Sequence, residues 1–261
     1  MRSVLGPLFA VLALGACREE PGPAPLEVYA AASLRDVLQE LAPAAERACG
    51  SALAFNFGSS GDLARQIVAA GRADLFVSAD EQELERVAAA GLVEPGTRRE
   101  LLSNQLVVVE PLELGSGVAP APEPFDPAWL ASPAVPLLSL ANPDTVPAGK
   151  YARAWLESRG VWEAVRPRVL PAIDVRAALA AVESGGARAG IVYRTDAARS
   201  RRVRVLFAVP RAEGPAITYP LAVLAGRPAT ASARRLADFL ASEEAARVFE
   251  RHGFVPATRA Q

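Results

Sequence analysis

Aromatic residues make up only 6% of this 261-residue chain, which leaves no row of rings on which single-stranded nucleic acid could stack. Charge of either sign is nearly balanced: 28 Lys and Arg against 29 Asp and Glu give a net charge of −1. No basic face is therefore offered to a phosphate backbone, and nucleic acid is not an expected partner. The chain has one histidine, His252, at the end of the last predicted helix, with no clear path to a serine it could activate. No Cys/His cluster or carboxylate array with metal-ligand spacing is present. After residue 16 no apolar run is long enough to span a bilayer. What is present is ample core material, 51% hydrophobic, enough for one large domain or two lobes.

The N-terminus reads as a targeting segment. Arg2 precedes an apolar run from Val4 to Leu14, too short for a membrane span and suited to a signal sequence. It ends in Leu14-Gly15-Ala16-Cys17, which resembles the lipobox of bacterial lipoproteins, with Cys17 as the lipidated first residue of the mature chain. The alternative is an ordinary signal peptide cut near Ala16. Residues 1–16 then form the signal and 17–25, rich in Pro and Gly, a tether. Loss of Arg2 takes the side-chain charge from −1 to −2. With Cys17 lipidated, Cys49 has no internal disulfide partner and reads as a small buried apolar residue. The expected product is a soluble domain on the periplasmic side of a bacterial membrane, anchored by its lipid.

Strand and helix signals then alternate, which argues for an α/β fold with mostly parallel sheets. Four strand-to-helix turns share one design: Ala30-Ala31-Ala32-Ser33-Leu34, Gly58-Ser59-Ser60-Gly61, Val146-Pro147-Ala148-Gly149 and Ile173-Asp174-Val175. Helix starts expose unpaired N–H donors and carry roughly half a unit of positive charge. Several converging on one point make an anion site without Lys or Arg. Ser33 with Asp36 three residues on reads as a near capping box. Ser33 and Ser60 also read as plain helix N-caps, Asp174 as a cap for its helix, and Arg176 as a solvated or lobe-bridging residue. The order of elements suggests one lobe from residues 26–104 plus 217–261 and a second from 105–216, with crossings near Asn104-Gln105 and Gly214-Pro215.

At this point the chain resembles the periplasmic molybdate-binding proteins of ABC importers. Tyr29-Ala30-Ala31-Ala32-Ser33-Leu34 is similar to their opening motif, and Phe57-Gly58-Ser59-Ser60-Gly61-Asp62-Leu63-Ala64-Arg65-Gln66-Ile67 to their second. Ala73 to Asp80, Ala141-Asn142-Pro143 with Val146 to Ala152, Asp174 to Leu179, Gly190 to Tyr193, Tyr219-Pro220 and Gly253-Phe254 follow in order. The resemblance covers residues 26–256. It implies a type II periplasmic-binding-protein fold of two lobes, each a mostly parallel sheet flanked by helices, joined by two crossovers. It also implies molybdate or tungstate held between the lobes as the transported ligand, with no cofactor, and an ABC permease and its ATPase as partners of a monomeric receptor. By position the oxyanion contacts fall on Ser33, Ser60, Ala148, Val175 and Tyr193. Two departures stand out: many relatives have serine where Gly61 stands and an uncharged residue where Lys150 stands, which we read as pointing to solvent.

The chemistry agrees with those residue types. Molybdate at neutral pH has four acceptor oxygens and no proton. A site made only of donors accepts it and disfavours a protonated anion. The rival readings are an enzyme using Gly58-Ser59-Ser60-Gly61 as a nucleophile turn, which lacks the G-x-S-x-G spacing, a binder of sulfate, phosphate or a phosphonate, and a sensory module built on the same lobes. The reading carried forward is a binding protein, not an enzyme.

Overall fold

The computed structural model describes residues 24–115 and 120–257. The signal segment, Cys17 and the tether up to residue 23 lie outside the described residues.

The chain begins with β1 (Leu26–Ala31), a short 3-10 turn (Ala32–Leu34) and α1 (Arg35–Cys49). Then come β2 (Leu53–Gly58), α2 (Ser60–Ala70), β3 (Leu75–Val77), α3 (Glu81–Ala89) and β4 (Arg99–Ser103). The chain crosses to a second sheet with β5 (Leu106–Pro111), a 3-10 turn (Pro127–Ala131), β6 (Leu138–Ala141), α4 (Pro147–Ser158) and α5 (Trp162–Val165). It continues through β7 (Val169–Ala172), α6 (Val175–Glu183), β8 (Ala189–Tyr193), α7 (Arg194–Ala197) and β9 (Val203–Ala208). It returns with β10 (Thr218–Val223), α8 (Thr230–Leu240), α9 (Glu243–Arg251) and β11 (Val255–Pro256).

Two sheets result, in the orders β11-β4-β10-β3-β1-β2 and β7-β6-β8-β5-β9. They define two α/β lobes. The sheets are mixed, which corrects the expectation of mostly parallel ones. In the first lobe only β1 pairs in parallel, with β2 and β3; β10 and β4 add antiparallel. In the second, β6 pairs in parallel with β7 and β8, while β5 and β9 add antiparallel. The physical reason is the crossing itself. The strand that follows each passage between lobes, β5 on the way out and β10 on the way back, enters its sheet from the opposite end and runs against its parallel strands, while β4 and β9, antiparallel to β10 and β5, keep the common direction. Alternating strand and helix patterns carry no sign of that direction.

Local sequence explains the elements. Val37, Leu38, Leu41, Ala45 and Cys49 form the buried stripe of α1. Gly50 and Gly71 end α1 and α2 at φ 71° and 59°, left-handed values where a Cβ is penalised. One core runs through both lobes, from Leu26 and Val28 to Trp155, Ile191 and Tyr219. A smaller core of Leu63, Ile67, Phe76, Leu84 and Val87 lies beneath α2 and α3. No helix among the described residues is long and apolar enough to cross a membrane.

Candidate anion-binding site

In α/β sheets the carboxyl ends of parallel strands are where ligands are held, because helix starts gather there. Both lobes obey this rule and face each other. Ala31 ends β1, Gly58 ends β2 and Ala79 follows β3. Val146 follows β6, Asp174 follows β7 and Tyr193 ends β8. All six line one small cavity, together with Ser33, Ser59, Ser60, Ala148 and Val175. It admits the centre of a water-sized sphere over only about 10 Å³. Sites for drug-sized ligands have roughly 300–1,000 Å³, so this space suits one small species. A larger depression of about 960 Å³ lies on the second lobe around Leu112, Glu183 and Gly186. It sits at the C-terminal end of α6, away from the helix starts that gather between the lobes.

The structure thus brings all five sequence-predicted residues together. Ser33, Ser60, Ala148, Val175 and Tyr193 are each at most 4% exposed. No side chain caps the turn at Ala32–Leu34, α2 or α4, so their first N–H groups remain available. Asp174 does cap α6, accepting from Ala177 N–H at 2.8 Å, which occupies the one carboxylate on the cavity wall. Gly149 lets α4 start hard against β6: a Cβ there would lie 2.1 Å from the Ala141 carbonyl oxygen.

Three sequence readings change. Ser33 is not a capping residue, since its hydroxyl lies 3.0 Å from the Tyr219 hydroxyl. Ser60 Oγ accepts from Ala79 N–H at 2.9 Å, which leaves the Ser60 proton free. Lys150 does not point to solvent: its Nζ is 2.5 Å from Glu83 Oε1 and 3.4 Å from Asp80 Oδ2, both of the first lobe. It is not a cavity-lining residue. The motif reading also passed over Ser59. Its buried hydroxyl has no partner among the described residues and lines the cavity. The doubled serine of Gly58-Ser59-Ser60-Gly61 was the available signal.

Tyr193 completes the wall with a buried hydroxyl that also has no partner among the described residues. Burial, then the neighbouring Tyr219, Tyr151 and acids, push its pKa well above the usual tyrosine value, so it stays a protonated donor. The remaining charges flank the cavity. Arg176 Nη2 is 2.6 Å from Asp36 Oδ2 across the cleft, and Arg199 Nε reaches the same oxygen at 2.8 Å. Arg176 Nε also lies 2.6 Å from Asp196, a fully buried carboxylate. Gly61 faces the second lobe so closely that a Cβ would lie 2.3 Å from the Thr145 carbonyl oxygen. His252 pairs with Glu40 at 2.7 Å and does not line the cavity.

Two α/β lobes closed on a small cavity at their strand ends, furnished with N–H and O–H donors, define the two-lobed periplasmic-binding-protein class. The profile of the bacterial extracellular solute-binding protein family matches residues 26–255, and the chain belongs to that family. It is 36% identical to the molybdate-binding protein ModA of Escherichia coli K12, over 88% of each chain. Among solved structures it is similar to the periplasmic molybdate-binding protein of Azotobacter vinelandii, at TM-score 0.74 and 22% identity, covering 88% of this chain and 98% of that one. It is also similar to the sulfate-binding protein SubI of Mycobacterium tuberculosis H37Rv, at TM-score 0.76 and 18% identity, covering 91% and 88%. At those identities the two structures speak to the fold alone.

Proposed function

We propose that this chain captures molybdate or tungstate between its lobes and delivers it to an ABC permease driven by its ATPase. The observation that carries the reading is the donor-rich wall: helix-start N–H groups and the hydroxyls of Ser33, Ser59, Ser60 and Tyr193, beside one carboxylate, Asp174, that caps its own helix. Such a wall matches a small oxyanion with no proton of its own. Charge-assisted bonds contribute about 1.5–3 kcal/mol each before the anion is desolvated. The curated relative that is 36% identical bears the name of a molybdate-binding protein, which favours that oxyanion over sulfate. Ser33 and Ser60 donate through hydroxyl and N–H, Ala148 and Val175 through N–H alone, and Tyr193 through its phenol. On this reading the protein is a monomeric receptor without cofactor or catalytic step, held by lipidated Cys17 on the periplasmic side of the membrane.

The test is calorimetric titration of the purified protein with molybdate, tungstate, sulfate and phosphate in turn. One-to-one binding of molybdate or tungstate without sulfate supports the reading. Sulfate or phosphate binding in its place would overturn the ligand and keep the fold.

A further inference from the structure

Resting on that reading of the ligand, we propose that Tyr219 and Asn104, neither of which lines the cavity, are positioning residues that oblige Ser33 to donate its proton to the anion. The direction of the bond at Ser33 can be followed from a group that has no choice. The backbone N–H of Gln105 can only donate, and it is 2.9 Å from Asn104 Oδ1. The oxygen side of the Asn104 amide is thereby identified, and Nδ2 faces the other way. Nδ2 can only donate as well, and it does so to the Tyr219 hydroxyl at 3.2 Å and to Thr195 Oγ1 at 2.9 Å. Tyr219 oxygen, now an acceptor, has its own proton left for Ser33 Oγ at 3.0 Å.

Ser33 oxygen then accepts, and with no other side-chain partner among the described residues its proton is left to the cavity it lines. The whole series is shielded from bulk solvent: Ser33, Asn104, Thr195 and Tyr219 are each at most 4% exposed. Burial, chiefly, also raises the Tyr219 pKa far above its usual value, so the phenol keeps the proton it passes on. A free serine hydroxyl is ambivalent and can accept from a protonated anion as readily as it donates to a bare one. The series removes that freedom. It makes Ser33 hostile to an anion that carries a proton, and it does so from outside the binding surface.

Asn104 lies between β4 and β5, where the chain first passes from one lobe to the other. Its second bond goes to Thr195, the second residue of α7 in the second lobe. The crossing point is therefore wired to the ligand-facing hydroxyl.

The experiment is a double-mutant cycle with two anions. Wild type, Tyr219→Phe, Ser33→Ala and the double variant are titrated with molybdate and with inorganic phosphate at about pH 8, where phosphate retains one proton. Tyr219→Phe keeps the ring against Phe254. It is expected to weaken molybdate about tenfold, to leave phosphate unweakened or strengthened, and to have no further effect in the Ser33→Ala background. Equal losses for both anions, or an undiminished effect without the Ser33 hydroxyl, would overturn the proposal. Asn104→Asp is the second variant, which serves also if Tyr219→Phe does not fold. Its carboxylate accepts from Tyr219 and reverses the series, so the preference for molybdate over phosphate should fall further; an unchanged preference counts against the proposal. Wild-type protein that is folded yet does not bind molybdate would instead dispose of the ligand reading.

Discussion

Arg176 and Asp36 meet across the cleft with Nη2 and Oδ2 2.6 Å apart, each on the helix that starts beside the cavity. Lys150 and Glu83 meet in the same manner, at 2.5 Å, between the starts of α4 and α3. In both pairs the second lobe supplies the cation and the first the anion. The wall that faces the ligand has no formal cation, while the pairs that hold the lobes together are fully charged. Capture and closure are therefore separate pieces of electrostatics, and they can be altered one at a time.

Lys150→Met should release ligand faster with little change in association. The ion pair forms only once the lobes have met, so its loss acts on dissociation. Glu83 is 2% exposed and, among the described residues, keeps Arg86 as its one ion-pair partner after the substitution. Loss of about 1–2 kcal/mol corresponds to release that is roughly tenfold faster. Stopped-flow displacement measured at low and high salt reports it, and the variant should also lose part of the salt dependence. An unchanged release rate would remove Lys150 from the closure contact.

Gly61→Ala should weaken binding by holding the lobes apart. The added methyl would lie 2.3 Å from the Thr145 carbonyl oxygen, far inside van der Waals contact, and that neighbour is backbone. Either the loop carrying Thr145 retreats or closure stops short. We expect an affinity loss of about tenfold, equivalent to 1.4 kcal/mol, and a larger radius of gyration for the liganded protein in solution scattering. Wild-type affinity together with wild-type dimensions would show that the loop gives way freely.

Ser60→Ala should weaken molybdate binding by about ten- to a hundredfold, the value of one charge-assisted hydrogen bond of about 1.5–3 kcal/mol. Ser59→Ala should cost a similar amount if its unpartnered hydroxyl turns to the anion. Ser232→Ala is the control, because that hydroxyl bonds Arg235 on the exposed side of α8. Calorimetry in which all three variants match wild type would remove the serines from the site.

Asp196 should make the unliganded protein less stable as pH rises from 4 to 7. Burial raises its pKa from 3.8 to about 7, and the Arg176 charge offsets this only in part. Between those values the native state holds a proton that the unfolded state has released, so stability falls with rising pH. The cost is absent below 3.8, grows across the interval and is complete above about 7. Asp36 has the opposite sign. Burial raises its pKa, but the hydrogen bond and charge of Arg176 and the charge of Arg199 outweigh that and hold it below 3.8. Its contribution is present above 3.8 and fades on further acidification. Melting temperatures of wild type and Asp196→Asn should therefore diverge steadily from pH 4 to 7 in favour of the variant and run parallel above that. Parallel curves throughout would mean the carboxylate does not titrate in this range.

Much of this was legible because the signals were local. The four turns at Ser33, Ser60, Ala148 and Val175 announce helix starts by residue type alone, and each one lines the cavity. Asp174 caps its helix as its position suggests. What was not legible depends on residues far apart in sequence. Tyr219 reaches Ser33 across 186 positions, and Lys150 reaches Glu83 across 67. Neither pairing leaves a periodicity or a motif. Strand direction failed for a related reason. The pattern of β4 or β10 is the same whether it runs with its neighbour or against it, and only the path between lobes decides.

The start of α4 has a consequence for how such a site is mapped. Ala148 lines the cavity at a helix start, where its proposed contribution is a main-chain N–H, and it already has the side chain that a truncation scan would install. Val175 lines it from the same kind of position, and its side chain can be shortened without touching the proposed donor. A conventional scan would thus score two of the three contacts proposed for the second lobe as inert. Replacing single amides by esters at residues 148 and 175 deletes only the donor, and would show binding that side-chain mutagenesis cannot see.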